Sequence, residues 1–129
     1  MIFSLAVYSA PYSSQASYTA YQFAKALLAQ GHQLHRVFFY HDGVHNATGL
    51  AVPPQDEFDL QTAWQTLAQS HNLDVVVCIA AALKRGVIDE REAKRYNKAS
   101  HNLIDDFSVS GLGQLIEAAA VSDRLISFG

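Results

Sequence analysis

Strand-forming segments alternate with helix-forming segments along nearly the whole chain. The predicted strands, rich in β-branched and aromatic residues, are Ile2–Tyr8, Gln33–Tyr40, Leu73–Ile79, Phe107–Val109 and Arg124–Phe128. The predicted helices are Gln15–Gln30, Leu60–Ser70, Ala80–Arg85, Asp89–Tyr96 and a last one from Ser110 or Gly111 to Ala120. Alternation of this kind is typical of parallel sheets with helices on both faces. The sequence therefore predicts an α/β fold, a three-layer α/β/α domain with a mostly parallel sheet of about five strands.

Length and composition narrow the functional classes. The chain has 129 residues, the size of one domain, and no linker or repeat divides residues 1–129. Its formal net charge is −3 without a block of like charge, so we expect no direct binding to nucleic acid, which needs clustered lysine and arginine. No apolar run approaches the roughly 20 residues that span a bilayer. The opening MIFSLAVYSA lacks a basic region and is interpreted as a strand, which predicts a cytoplasmic protein.

The only cysteine, Cys78, lies where an apolar strand gives way to an alanine-rich, basic segment. A single cysteine excludes an internal disulfide framework. Free cysteines are often small core residues, and this is one interpretation of Cys78. The other is a reactive thiolate at a strand end, favoured by the start of the next helix and by the positive charges of Lys84 and Arg85. Composition and spacing leave both interpretations open.

Other chemistries have weaker support in the sequence. Neither G-x-G-x-x-G nor G-x-x-x-x-G-K-[ST] occurs, which argues against the common phosphate-binding loops. His41 and His45 are four residues apart, but no third ligand is evident, so we predict no metal site. In a Cys-His hydrolase the base would be His41, His45 or His101, and nothing in the spacing selects one of them.

Five stretches, taken together in this order, carry a resemblance to a known family. They are FAKALLAQGH (Phe23–His32), VFFYHDGVHNA (Val37–Ala47), DEFDLQTAWQ (Asp56–Gln65), CIAAALKRGVIDE (Cys78–Glu90) and FSVSGLGQLIEA (Phe107–Ala118), followed by Asp123 and Arg124. With these stretches the chain resembles the DsrE-like sulfurtransferase family, in its TusD-like branch. The resemblance covers nearly the whole length and implies one DsrE-like sulfurtransferase domain over residues 1–129.

The resemblance implies a sulfur relay that uses no cofactor. The family's active cysteine falls on Cys78, which would carry a covalent persulfide, while Lys84 and Arg85 are our own candidates for stabilising its charge. The implied partners are TusB-like and TusC-like sister subunits in a heterohexamer, a TusA-like sulfur donor and a TusE-like sulfur acceptor. The sulfur would go to 2-thiouridine at the wobble position of tRNA.

Three alternatives remain at this stage. In the first, the chain is a non-catalytic scaffold subunit of the same kind of complex. In the second, it is a small-molecule-binding domain of flavodoxin type that uses SAPYSS (Ser9–Ser14), the loop after the first strand. The third is an oxidation sensor that uses Cys78 through sulfenic acid.

Overall fold

The sheet has five strands, and every neighbouring pair is parallel. The computed structural model describes residues 1–129. Its strands are β1 (Ile2–Val7), β2 (Gln33–Phe39), β3 (Val75–Cys78), β4 (Ser108–Ser110) and β5 (Arg124–Phe128). They lie in the order β4-β3-β2-β1-β5. The predicted α/β fold is confirmed, and the sheet is parallel throughout rather than mostly so.

Five α-helices and one 3-10 helix connect the strands. The α-helices are α1 (Ala16–Ala29), α2 (Leu60–His71), α3 (Ile79–Lys84), α4 (Glu90–Arg95) and α5 (Gly113–Val121). The 3-10 helix covers His41–Ala47, a stretch to which the sequence analysis assigned neither helix nor strand. No helix is both long enough and apolar enough to cross a membrane.

Local sequence signals explain where most helices begin and end. Asp59 caps α2 by accepting a hydrogen bond from the Thr62 N–H at 3.1 Å, and Asp89 caps α4 in the same way. Gly31, with φ of +85°, takes the left-handed conformation that ends α1. The last helix begins at Gly113 instead of Ser110 or Gly111, because Ser110 still pairs with Cys78 in the sheet.

Alternate side chains of the strands face opposite helical layers. Phe3 points to α1, where its ring contacts Phe23 with centroids 5.9 Å apart, whereas the neighbouring Ser4 shares a 2.8 Å hydrogen bond with Ser122 at the end of α5. On β2, Phe39 packs against Trp64 of α2. Helices α1 and α2 therefore cover one face of the sheet and α5 covers the other, which gives the three layers predicted from the sequence.

A buried arginine ties α5 to the sheet. The Arg36 guanidinium lies 2.7 Å from carboxylate oxygens of both Asp74 and Glu117, and it also donates to the Gln114 carbonyl at 2.9 Å. His35 stands where the register of β1 against β2 shifts, so it reaches the same Glu117 carboxylate at 2.9 Å. Hydrogen bonds from His35, and then from Arg36, lower the pKa of Glu117. These contacts fix the sheet face on which α5 packs.

Candidate active site

The candidate site lies where β2 and β3 end. Because neighbouring parallel strands end at the same sheet edge, the residues that follow β2 lie beside the last residue of β3. Tyr40 and His41 follow β2, and Cys78 is the last residue of β3. The structure brings these three residues to the wall of one cavity.

Cys78 is buried and at the same time borders an open space. Its exposed fraction is 4%, and it belongs to the main hydrophobic core. Cys78 nevertheless lines a cavity of about 220 Å³, together with the exposed Ala80. Its side chain therefore packs in the core, as the first interpretation predicts, and it also borders a cavity. The reactive thiolate stays a prediction.

Cys78 stands at the start of α3. Cys78 precedes the first residue of α3, with φ of −62° and ψ of 118°, and its side chain forms no capping hydrogen bond. The helix begins at Ile79, one residue before the predicted start. Only two residues, Gly111 and Leu112, approach the cavity from the connection between β4 and α5, and neither is charged.

Lys84 and Arg85, the two candidates for stabilising negative charge on Cys78, both line the cavity but differ in their surroundings. Arg85 is half-buried and its Nε donates to the Asp42 carboxylate at 2.8 Å, while a terminal nitrogen donates to the Ala81 carbonyl at 3.2 Å. This hydrogen bond from Arg85 lowers the pKa of Asp42. Lys84 is exposed and forms no ion pair or hydrogen bond. Lys84 therefore supplies uncompensated positive charge, whereas Asp42 balances the charge of Arg85.

We expect the Lys84→Gln variant to need a higher pH than the wild type for half-maximal alkylation of Cys78 by iodoacetamide. Removing a free positive charge from the cavity wall destabilises the thiolate, by roughly 0.3–0.5 pH units for an exposed lysine. The same measurement on Lys25→Gln is the control, because Lys25 lies on α1 and lines neither this cavity nor the neighbouring ones.

The double variant Asp42→Asn/Arg85→Gln tests whether Asp42 balances the charge of Arg85. It removes a balanced pair of charges, so its alkylation midpoint should stay near the wild-type value. A shift as large in the Lys25 control as in the Lys84 variant would contradict a local effect.

His41 is the one histidine that reaches the cavity. The structure does not bring His45 or His101 to Cys78: neither lines its cavity, and His101 borders a separate one. The His41 ring stacks on Tyr40 with centroids 4.0 Å apart and planes 9° apart. Sequence reasoning considered His41 with His45 as a metal-binding pair and as one of three possible bases, and it missed Tyr40 and Asp42. Their position directly after a strand was the only signal for them.

A larger cavity of about 580 Å³ lies near the loop that follows β1. Tyr12 forms part of its wall with φ of +73°, and its hydroxyl donates to Gln61 at 2.6 Å and accepts from the Leu60 N–H at 3.1 Å. Burial raises the pKa of Tyr12. Ser13 and Ser14, from the loop considered for a flavodoxin-type site, line this cavity beside aromatic Tyr18 and Phe58. No three His, Cys, Asp or Glu side chains are grouped to hold a metal ion.

Comparison of the sequence with known proteins identifies close relatives. DsrE of Allochromatium vinosum is 54% identical over 129 residues, covering 100% of this chain and 99% of that protein. Sulfurtransferase TusD of Klebsiella pneumoniae is 50% identical over 128 residues, covering 99% of this chain and all of that protein. A sulfurtransferase TusD homolog of Vibrio vulnificus is 50% identical over 126 residues, covering 98% and 96%. These relatives confirm the prediction of a sulfurtransferase.

Comparison with solved structures supports the fold. The crystal structure of the YchN protein from E. coli superposes with a TM-score of 0.75, covering 98% of this chain and 97% of that one, at 23% identity. At this identity the likeness shows the fold alone. The model of the DsrE/DsrF-like family matches residues 1–128. With the full-length relatives at about half identity, this match shows that the chain belongs to the DsrE/DsrF-like family.

Proposed function

We propose that this protein is a sulfur-relay sulfurtransferase that carries persulfide sulfur on Cys78, within a single cytoplasmic domain spanning residues 1–129. The observation that carries the proposal is the position of the only thiol of the chain, which ends β3 and borders a cavity of about 220 Å³. The unpaired Lys84 on the cavity rim favours anionic sulfur. The names of the TusD and DsrE relatives support the same reaction class.

The reaction consists of two sulfur exchanges without net oxidation. The Cys78 thiolate attacks the outer sulfur of a donor's protonated persulfide; a new S–S bond forms, the donor's S–S bond breaks, and the donor leaves as a thiolate with the bonding electrons. The persulfide on Cys78 then loses its proton to water or a nearby base. In the second exchange a proton returns to the Cys78 persulfide, an acceptor thiolate attacks its outer sulfur, and Cys78 leaves as a thiolate.

A lone cysteine suits such a carrier. A second thiol in reach would attack the inner sulfur of the Cys78 persulfide, expel hydrosulfide and close a disulfide. This chain has no second cysteine. The walls of the cavity also restrict the approach of other thiols, because Cys78 itself is only 4% exposed.

The proposed partners follow from the TusD-like relationship. A TusA-like protein donates the sulfur and a TusE-like protein accepts it, while TusB-like and TusC-like subunits complete a heterohexamer. The sulfur then serves 2-thiouridine formation at the tRNA wobble position. This protein does not bind the tRNA directly, in keeping with its net charge of −3.

The burial of Cys78 favours a scaffold subunit as the second candidate. A cysteine with an exposed fraction of 4% is within the range of structural cysteines. A scaffold would take no sulfur under any condition, so the two candidates differ in a single measurement.

The test is intact-protein mass spectrometry after incubation with a persulfide-loaded TusA-like donor. We expect a gain of one sulfur atom that a reductant removes. The control is the same protein treated beforehand with iodoacetamide, which blocks the one thiol and should prevent the gain. If no sulfur is gained even with TusB-like and TusC-like subunits present, the carrier proposal is wrong and the scaffold is favoured.

A further inference from the structure

His41 has an unusual backbone and a firmly held ring. Its φ of +49° places a side chain other than glycine in the left-handed region, which such residues adopt rarely and often at functional sites. The imidazole lies flat on the Tyr40 ring, and the Tyr8 ring approaches it from the end of β1 with centroids 5.9 Å apart. The 3-10 helix that begins at His41 is anchored by the buried Asn46, whose amide donates to the Gly43 carbonyl at 2.9 Å. The ring is therefore fixed although it is exposed.

The held ring and Cys78 line the same cavity. The structure places them on the walls contributed by the ends of β2 and β3. A persulfide is one sulfur longer than a thiol, and the cavity of about 220 Å³ that Cys78 lines is large enough for the added atom. That sulfur carries the negative charge once the persulfide has lost its proton.

The charges around His41 leave it available to an anion. From its own segment it faces Tyr40 and Asp42, and the Asp42 carboxylate is held by Arg85 at 2.8 Å. The charged groups that approach from α3 are Lys84 and Arg85, and both are positive. The remaining neighbours are Tyr8, Cys78 and, farther along the 3-10 helix, His45. No unpaired carboxylate lines the cavity to compete with a bound anion.

We propose that His41 binds the outer sulfur of the Cys78 persulfide, its protonated imidazole donating a charge-assisted hydrogen bond to the anion. This inference rests on the proposed function, since it requires that Cys78 carries sulfur. The interaction requires a protonated imidazole and an ionised persulfide together, so it is lost when either group changes its charge. The interaction is reciprocal: the persulfide anion favours protonated His41 as much as protonated His41 favours the anion.

The reciprocity gives a direct test by NMR titration of the six histidine rings. When inorganic polysulfide has loaded Cys78, the titration midpoint of His41 should move to higher pH by roughly 0.5 units or more. Protein alkylated with iodoacetamide carries a neutral group on the same sulfur and should show no such shift. His45, which lies outside the cavity, serves as the internal reference.

Variants of His41 give a second measurement, whose result would not change if His41 had a purely structural role. His41→Phe keeps a ring to stack on Tyr40, and His41→Asn keeps a residue that tolerates the left-handed backbone. In both, the near-ultraviolet absorbance of the persulfide anion should appear at a pH roughly 0.5 units higher, because the anion has lost its cationic partner. His45→Gln should titrate like the wild type.

The outcomes separate this inference from the proposed function. If the wild type gains sulfur but the His41 midpoint is equal in loaded and alkylated protein, His41 does not bind the persulfide and only this inference is wrong. The same conclusion follows if both His41 variants titrate like the wild type. If the wild type gains sulfur neither from polysulfide nor from a donor protein, both proposals are wrong.

Discussion

Replacing Cys78 by alanine or serine is expected to abolish persulfide uptake from any donor. The chain has no second thiol to take over, so neither variant should gain a sulfur atom by mass spectrometry. Residual loading in either variant would mean that the sulfur is held without a covalent bond, and the proposed mechanism would be wrong.

The two replacements differ in what they do to the core. Cys78 packs against buried side chains, so alanine removes one sulfur atom and should destabilise the fold by about 1 kcal/mol. Serine places a hydroxyl in the same buried position, where an unsatisfied polar group costs about 1–3 kcal/mol. Urea denaturation measures both values. The alanine variant is the better control for function, and its loss of uptake at nearly unchanged stability would assign the chemistry to the thiol.

The substitution Gly43→Ala is expected to destabilise the protein by more than about 3 kcal/mol, the upper part of the range for overpacking. A methyl group at Gly43 would overlap the carbonyl oxygen of Val7 in β1. That carbonyl already accepts the Tyr40 N–H at 3.0 Å, so it cannot retreat without loosening the end of β2. The shift would also displace the segment that carries His41 and Asp42.

Gly113→Ala is the matched control for this prediction. A methyl group at Gly113, the first residue of α5, meets no atom within 4 Å, and alanine favours a helix over glycine. We expect a neutral or slightly stabilising change in the free energy of unfolding by urea denaturation. Equal stability of the two variants would show that the 3-10 helix moves away from β1 without difficulty.

Much of the fold was predictable because its signals are local. The last strand, Arg124–Phe128, was predicted with its observed bounds, and the predicted helix Leu60–Ser70 begins at the first residue of α2. The 3-10 helix was missed because its seven residues do not have the 3.6-residue spacing of apolar side chains by which helices were recognised. The start of α5 was placed too early because the extension of β4 to Ser110 depends on pairing with β3, a contact that is distant along the chain.

The position of the candidate site was predictable from the sequence, whereas the burial and ion pairing of its residues were not. Since Cys78 stood at a predicted strand end, the chain pattern placed it at the functional edge of the sheet. Its burial depended on one residue of strand register, which composition does not determine. The pairing of Arg85 with Asp42 joins residues 43 positions apart. Only the tertiary structure therefore shows that, of the two cations that line the cavity, Lys84 is the one without an acidic partner.

The order of the strands has a consequence for synthesis of the chain on the ribosome. β1 lies between β2 and β5, yet the Ile2 N–H bonds to Asp123, a residue 121 positions later. One edge of β1 is therefore left without its partner while nearly all of the chain is made, and exposed strand edges are prone to pair with other chains. Contacts this distant also slow folding. We therefore expect the five-stranded sheet to be complete only after residues 124–128 have left the ribosomal tunnel. We also expect nascent chains that lack these residues to depend on chaperones that cover β1.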